Sequence, residues 1–508
     1  MIDAVGLPDL VDKRAAATPD DVMLVDQDGR RLSFAEYRDA VDRAAAGLAA
    51  LGVREGTVVS WQLPTWIESC VLVGALSRVG ATQNPILPIY RKREVAFVCK
   101  QAHTKLLVVP SVWRGFDFKT MADEVAAETD GLDVLVADKQ LPEGDPSTLP
   151  PVPSTDGDPV RWLFYTSGTT ADPKGAQHTD ATIMATAIAM DERIGLTSQD
   201  RSGLVFPFTH IGGITWLFST LLEGNTTILA EAFDPVETPK VLQRERVTLA
   251  GSGTAFHLAY LNAQRAAPDA PLFPEVRLFP GGGAPKPPQL HYDIKKEVGG
   301  VGIVSGYGLT ESPILTMASH DDSDVVLAET EGRATRGVQL RAVTVEGKVA
   351  GIGEEGEIRA KAPQMMKGYL DSSLDADAFD DEGWFRTGDL GVIDADGNVR
   401  ITGRLKDIII RKGENISAKE IEDLLFTHDK IADVAVIGLP DASSGERACA
   451  VLVLANADET VSLVDIRDFL TAHGLMIQKV PEQLEIVDAL PRNPTGKIVK
   501  HELRARFS

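Results

Sequence analysis

Apolar positions along the chain alternate between two rhythms, helical spacing and short unbroken runs. Ser33 and Glu36 stand at capping-box distance, and Tyr37, Val41, Ala44, Ala45 and Leu48 follow at helical intervals. Gly52 then closes the run, so an early helix is predicted. Trp162-Leu163-Phe164-Tyr165 is an unbroken apolar stretch and reads as a buried strand. Helical and strand patterns alternate through most of the sequence, which predicts an α/β fold with parallel sheets. Residues 141–159, rich in Pro, Asp, Gly and Ser, read as a loop, and Pro280 to Pro288 forms a second punctuated stretch with three consecutive glycines. No internal repeat and no low-complexity tract interrupts the pattern.

The texture changes near residue 404. Gly403-Arg404-Leu405-Lys406-Asp407 leads into the strand-like Ile408-Ile409-Ile410. Ser417 and Glu420 repeat the capping-box spacing ahead of Ile421, Leu424 and Leu425. Strands are predicted at Val434–Ile437 and Ala450–Leu454 and a helix near Ser462–Thr471. This is the pattern of a separate α+β domain of about 100 residues.

Composition narrows the classes of function. The chain has 508 residues with 44% hydrophobic and 25% charged positions, ordinary for a globular protein able to bury a large core. Lys and Arg number 51 against 74 Asp and Glu, a net charge of −23 that opposes nucleic acid and anionic lipid as partners. A small anionic substrate stays admissible, because a local pocket can differ from the net field. The three cysteines, Cys70, Cys99 and Cys449, are far apart, so neither a zinc knuckle nor a disulfide framework is written, and a reducing cytoplasm is expected. The N-terminus lacks the pattern of a secretory signal, and no apolar run reaches membrane-spanning length.

The segment with the clearest chemistry is Tyr165-Thr166-Ser167-Gly168-Thr169-Thr170-Ala171-Asp172-Pro173-Lys174-Gly175. Glycine lets backbone N–H groups turn toward an anion, hydroxyls add donors, and Lys174 supplies positive charge, which together make a phosphate cradle. It is not a Walker A loop, since Pro173 precedes the lysine and Gly175 follows it. Nor is a dinucleotide fingerprint present, because Gly251-Ser252-Gly253 continues as Thr254-Ala255-Phe256.

This segment resembles the nucleotide-binding loop of the ANL adenylate-forming enzymes, which include acyl-CoA synthetases, nonribosomal adenylation domains and beetle luciferases. Five further segments resemble motifs of that family in family order. Gly281-Gly282-Gly283-Ala284-Pro285 is similar to the adenine-binding segment, and Tyr307-Gly308-Leu309-Thr310-Glu311 to the next core motif. Gly383-Trp384-Phe385-Arg386-Thr387-Gly388-Asp389 resembles the ribose-binding motif. Gly403 to Asp407 resembles the interdomain hinge, and Pro491-Arg492-Asn493-Pro494-Thr495-Gly496-Lys497 the catalytic-lysine motif. The six motifs cover nearly the whole chain. The resemblance implies a large domain of residues 1–404, with parallel-rich sheets flanked by helices plus a distorted β-barrel part. A small mobile α+β domain of residues 405–508 is implied to turn about Lys406.

The resemblance further implies a reaction of two steps: a carboxylate and ATP give acyl-AMP and pyrophosphate, and a thiol then takes the acyl group. Thr166, Ser167, Gly168, Thr169, Thr170 and Lys174 are the implied phosphate site, with His178 a further candidate for phosphate contact. Thr310 is implied to meet the α-phosphate and Glu311 to hold Mg²⁺, a hard cation suited to oxygen ligands. Tyr307 and Gly308, with Gly282, Gly283 and Ala284, would receive adenine, Tyr307 by stacking. Asp389 would accept from the ribose hydroxyls, assisted by Arg404. Lys497 would bridge the carboxylate and the α-phosphate. His210, Trp216, Phe256 and Gly306 would line the acyl pocket, and Lys412, Gly413 and Glu414 would approach the thiol channel. Ala171 stands where family members carry Gly, Asp172 is an unusual neighbour for phosphate, and Asp377 is expected at the surface.

Amino-acid-activating relatives carry an aspartate where Thr209 follows Phe208 here, so a substrate ammonium would lack its partner. Small residues in Gly251–Thr254, Gly281–Ala284 and Ser305-Gly306 are expected to leave room for a long, branched, aromatic or alicyclic acid. CoA is the expected acceptor. A freestanding ligase for a carrier protein and a non-catalytic nucleotide-binding regulator are the alternatives, and a homodimer is left open.

Overall fold

The computed structural model describes residues 1–508 except 167–172, 285, 412–413, 442–443, 457–458 and 494–495; of Glu414 and Asn415 it describes the backbone. Two parallel-rich sheets organise the first half. One has six strands, with Thr82–Pro85 and Val58–Trp61 at its centre, followed outward by Leu106–Val109 and Asp133–Val136 on one side and Trp162–Thr166 on the other. Lys174–His178 closes the Trp162 edge antiparallel, pairing Lys174 with Thr166. The other has five strands, in which Leu249–Ala250, Arg201–Leu204, Thr226–Leu229 and Val22–Asp26 run parallel and Arg31–Ser33 antiparallel.

The unbroken apolar run at 162–165 has a direct cause. Trp162 and Phe164 face the main core, with Trp61, Phe208 and Phe218, while Leu163 and Tyr165 face a second core, with Val98 and Phe118. A strand covered on both faces needs apolar residues at every position. The early helix spans Phe34–Ala50, with Ser33 and Glu36 forming the reciprocal capping box, and Gly52 follows at φ +88°. Among the described residues no helix is long and apolar enough to cross a membrane. Cys70, Cys99 and Cys449 are free and buried, as ordinary packing requires.

The expected barrel region consists of two four-stranded sheets. Phe279–Gly281 and Ile303–Leu309 run parallel, then Ser312–Met317 and Arg333–Ala334 antiparallel. Gln339–Val343, Glu355–Lys361, Phe385–Ile393 and Val399–Arg404 form an antiparallel sheet, joined to the first by an Arg333–Asn398 bridge.

Across Leu405–Asp407 the chain leaves this sheet and enters a five-stranded one built from Ile408–Arg411, Glu414–Ser417, Ile431–Asp441, Gly445–Leu454 and Gln483–Ile486. Its helices are Ala418–Leu425, Leu463–Ala472 and Lys500–Phe507. It has its own apolar core around Ile421, Val436, Leu452 and Ile466, and Phe426 packs against both this core and the main one. The second capping box is only half made. Ser417 accepts from Glu420 N, but the Glu420 carboxylate pairs with Lys479 at 2.6 Å instead of returning to the Ser417 backbone. A charged partner from a later segment outcompetes the local amide.

Ser33→Ala should lower unfolding stability by about 1 kcal/mol, while Ser33→Asp should retain most of it. Denaturant midpoints of the two variants against the parent check this.

Candidate active site

Three side chains expected at the nucleotide meet at one carboxylate. Asp389 is 3% exposed on Phe385–Ile393, directly opposite Arg404 in the register. Arg404 Nε donates to its Oδ1 at 2.6 Å, and the Tyr307 hydroxyl donates to its Oδ2 at 2.8 Å. Burial opposes the Arg404 charge, but Asp389 outweighs it and holds the guanidinium above its ordinary value. Burial, and then the Asp389 charge, raises the Tyr307 phenol well above its usual range. Thr387 accepts from Asp389 N and donates to Ile358 O, which fixes the backbone beneath.

The C-terminal lysine loop reaches this cluster. Asn493 accepts from Lys497 N through its side chain and donates its own amide to Lys497 O, making a tight turn. Gly496 has φ +81°, and a Cβ there would come within 3.0 Å of Ala255 Cβ, so glycine lets the turn settle on the helix Thr254–Ala266. The charges of Arg404, Asp389, Asp407 and Lys500 all act on the Lys497 ammonium. Burial, followed by the Arg404 charge, pulls its pKa down to about 8. Asp407 is in turn tied to Arg504 at 2.8 Å.

Thr310 and Glu311 form the turn between Ile303–Leu309 and Ser312–Met317. Gly308 precedes them, and a Cβ there would lie 2.4 Å from Ile314 N, so the turn closes only on glycine. Glu311 is 8% exposed, and Tyr369 donates to its Oε1 at 2.7 Å. Thr166 and Lys174 flank the phosphate loop as a register pair. Ser167, Gly168, Thr169, Thr170, Ala171 and Asp172 lie outside the described residues, as do Lys412 and Gly413. Glu414 begins the strand Glu414–Ser417 opposite Arg411. Lys406 is exposed within the turn Leu405–Asp407, and Asp377 is exposed as expected.

His210 caps the helix Ile211–Glu223, its Nδ1 accepting from Gly212 N at 3.1 Å. Burial lowers its pKa to about 4, so the ring is neutral and the proton sits on Nε2. Trp216 is buried on the same helix. Phe256 lies under Gly496 and meets Phe233 edge-on at 4.8 Å. Thr209 is 2% exposed, and its hydroxyl has no partner among the described residues.

Two expectations change. His178 does not face phosphate: it is fully buried, with Nε2 on Thr310 O at 2.8 Å and Nδ1 on Thr182 Oγ1 at 3.0 Å. Small residues also do not simply leave room. A Cβ on Gly282 would sit 3.0 Å from Gly306 O, and one on Gly306 would sit 3.1 Å from Thr316 O. These glycines permit close backbone approach instead. Gly283, at φ +74°, has open space around it, and Ala284 follows. Tyr369 was missed altogether. Its Gly368-Tyr369 context carries no chemical signature, and pairing of its segment along Lys174–His178, including the Ala176–Tyr369 bridge, brings it to the site.

The description AMP-binding enzyme matches residues 11–370, and AMP-binding enzyme C-terminal domain matches residues 420–497. The medium-chain fatty-acid–CoA ligase of Escherichia coli K12 is 32% identical, over 98% of this chain and 90% of that protein. The long-chain-fatty-acid–CoA ligase FadD13 of Mycobacterium tuberculosis is 33% identical, over 94% of this chain and 93% of that protein. Among solved structures, ATP-bound MatB from Rhodopseudomonas palustris superposes with a TM-score of 0.88 at 27% identity, covering 98% of this chain and 99% of that one. The motif order, the two-part fold and these matches together place the chain in the AMP-binding enzyme family, the adenylate-forming enzymes of the acyl-CoA synthetase branch.

Proposed function

We propose that this protein is an AMP-forming carboxylic acid–CoA ligase. The observation that carries the reading is the cluster of Asp389, Arg404 and Tyr307, three side chains of the ordered motifs joined by hydrogen bonds, within whose electrostatic reach Lys497 lies. A carboxylate oxygen of the acid attacks the α-phosphorus of ATP, and pyrophosphate leaves. The CoA sulfur then attacks the acyl carbon, and AMP leaves.

Asp389 keeps lone pairs for the ribose hydroxyls after accepting from Arg404 and Tyr307, because a carboxylate has about four acceptor sites. Lys497 places positive charge between the acid and the α-phosphate, where the two anions must approach. The neutral His210 offers Nε2–H to the acid. Thr310, Lys174 and Thr166, with Ser167 to Thr170, hold the phosphates.

Glu311 suits a magnesium ion: Tyr369 holds Oε1, and Oε2 has no protein donor among the described residues. No cage of three or more His, Cys, Asp or Glu forms among those residues, so the ion would share phosphate oxygens with ATP. Bound there, Mg²⁺ would neutralise phosphate charge.

Residues 1–404 are read as the large domain and 405–508 as the small one. The small domain turns about Lys406 between steps and brings the Lys412-Gly413-Glu414 turn to the thiol. The uncharged Thr209 gives a substrate ammonium no counter-charge, and Phe256 and Trp216 supply apolar walls. The reading is therefore a medium- or long-chain, aromatic or alicyclic acid, in a reducing cytoplasm.

Incubation with ATP, Mg²⁺, CoA and a panel of carboxylic acids, read by mass spectrometry, should give one class of acyl-CoA together with AMP. Acyl-AMP persisting with CoA would point to a carrier-protein acceptor, and no product with any acid would favour the regulator. Lys497→Ala should slow adenylate formation about a hundredfold or more and spare thioester formation from synthetic acyl-AMP. With the Lys497 pKa near 8, the ammonium is present below that value and lost above it. Adenylation should therefore fall on the basic side of pH 8, by at most about tenfold per unit. Lys497→Arg should remove that limb, because guanidinium stays charged.

A further inference from the structure

The turn that carries Thr310 and Glu311 is gripped from outside its own sheet. His178 lies at the end of Lys174–His178, the strand that follows residues 167–173 in sequence. Thr310 O can only accept, so the 2.8 Å contact fixes the proton on His178 Nε2. Nδ1 then stands 3.0 Å from the Thr182 hydroxyl, whose single proton lies between Nδ1 and Thr179 O at 2.9 Å.

The second grip comes from the segment 366–370, which pairs along the same strand. Lys367 N donates to Gln177 O, Gln177 N to Gly368 O, and Leu370 N to Gly175 O. This pairing puts Tyr369 beside the turn, where its hydroxyl donates to Glu311 Oε1 at 2.7 Å. Met366 N donates to Glu311 O at 2.8 Å, so backbone and side chain of the glutamate are both held. The Lys174 ammonium lies 5.3 Å from the centre of the Tyr369 ring. One strand edge thus presents Lys174 and holds both residues of the turn.

We propose that His178 and Tyr369 are positioning residues that lock the Thr310–Glu311 turn against the Lys174 strand, so that the metal-bearing carboxylate and the phosphate-facing lysine share one fixed spacing. The proposal rests on the ligase reading above. Tyr369 also packs against Ala176, Met366 and Phe385, so loss of the whole side chain would disturb a small apolar cluster. Removing the hydroxyl alone separates the two roles. A residue that orients a ligating carboxylate should act on metal-dependent binding, with losses of about ten- to a hundredfold.

Calorimetric titration of ATP at zero and saturating Mg²⁺ tests this on the full chain. For Tyr369→Phe, metal-free ATP affinity and melting temperature should stay close to the parent, and the gain in affinity on adding Mg²⁺ should fall about tenfold. His178→Leu should show the same selective loss. His178→Gln, which keeps an N–H near the Nε2 position, should recover most of it. An unchanged Mg²⁺ effect in Tyr369→Phe and His178→Leu would overturn the proposal. Equal losses with and without Mg²⁺ would also overturn it, by showing a purely structural role. If the parent bound no ATP under either condition, the ligase reading itself would fall, a result distinct from the other two.

Discussion

The carboxylate of Asp389 is held from two directions, by Arg404 across its own sheet and by Tyr307 from the neighbouring one. The rest of the site is arranged around it. Asp389 is buried and relies on both donors, while Arg404 is part-exposed and its charge is screened by water. The pair therefore fixes how the antiparallel sheet 339–404 meets the strand Ile303–Leu309. It also places charge where the Lys497 turn arrives, and Arg404 is a reason that the Lys497 ammonium is easier to deprotonate than a solvated one. Sheet junction, buried carboxylate and the charge felt by the C-terminal lysine are thus linked through a single side chain.

Glycine has a second organising role. Gly282 and Gly306 bring backbones together where a methyl would meet a carbonyl oxygen, and Gly308 closes the turn that carries Thr310 and Glu311. The result is a site built on strand ends and turns rather than on mobile side chains. The Trp162–Thr166 strand, covered on both faces, pairs antiparallel with Lys174–His178, so Thr166 and Lys174 stand side by side at its end.

Much of this was legible in the sequence where the determinant is local. The Ser33 capping box and the buried strand at 162 each depend on a few neighbouring residues, and each appears as read. The ordered motifs also singled out Tyr307, Asp389 and Arg404, whose side chains the structure joins although nothing local in the sequence shows that they touch. What escaped depends on contacts between distant segments. Tyr369 reaches Glu311 because segment 366–370 pairs along Lys174–His178, and no spacing encodes that. His178 resembled a phosphate ligand by proximity in sequence, yet strand alternation turns it inward to Thr310. Glu420 satisfied a local capping pattern and was drawn away by Lys479, from a segment about 60 residues later.

In the proposed reaction one site joins an acid to AMP through the acid's own oxygen, and a thiol then takes the acyl group as AMP leaves. Oxygen tracing tests it most directly. With an acid labelled with ¹⁸O in both carboxylate positions, complete turnover in the presence of CoA should leave one labelled oxygen in the AMP and one in the thioester carbonyl. AMP free of label, or label recovered in inorganic phosphate, would contradict attack of the carboxylate on the α-phosphorus and with it the roles proposed for Lys497, Asp389 and Arg404.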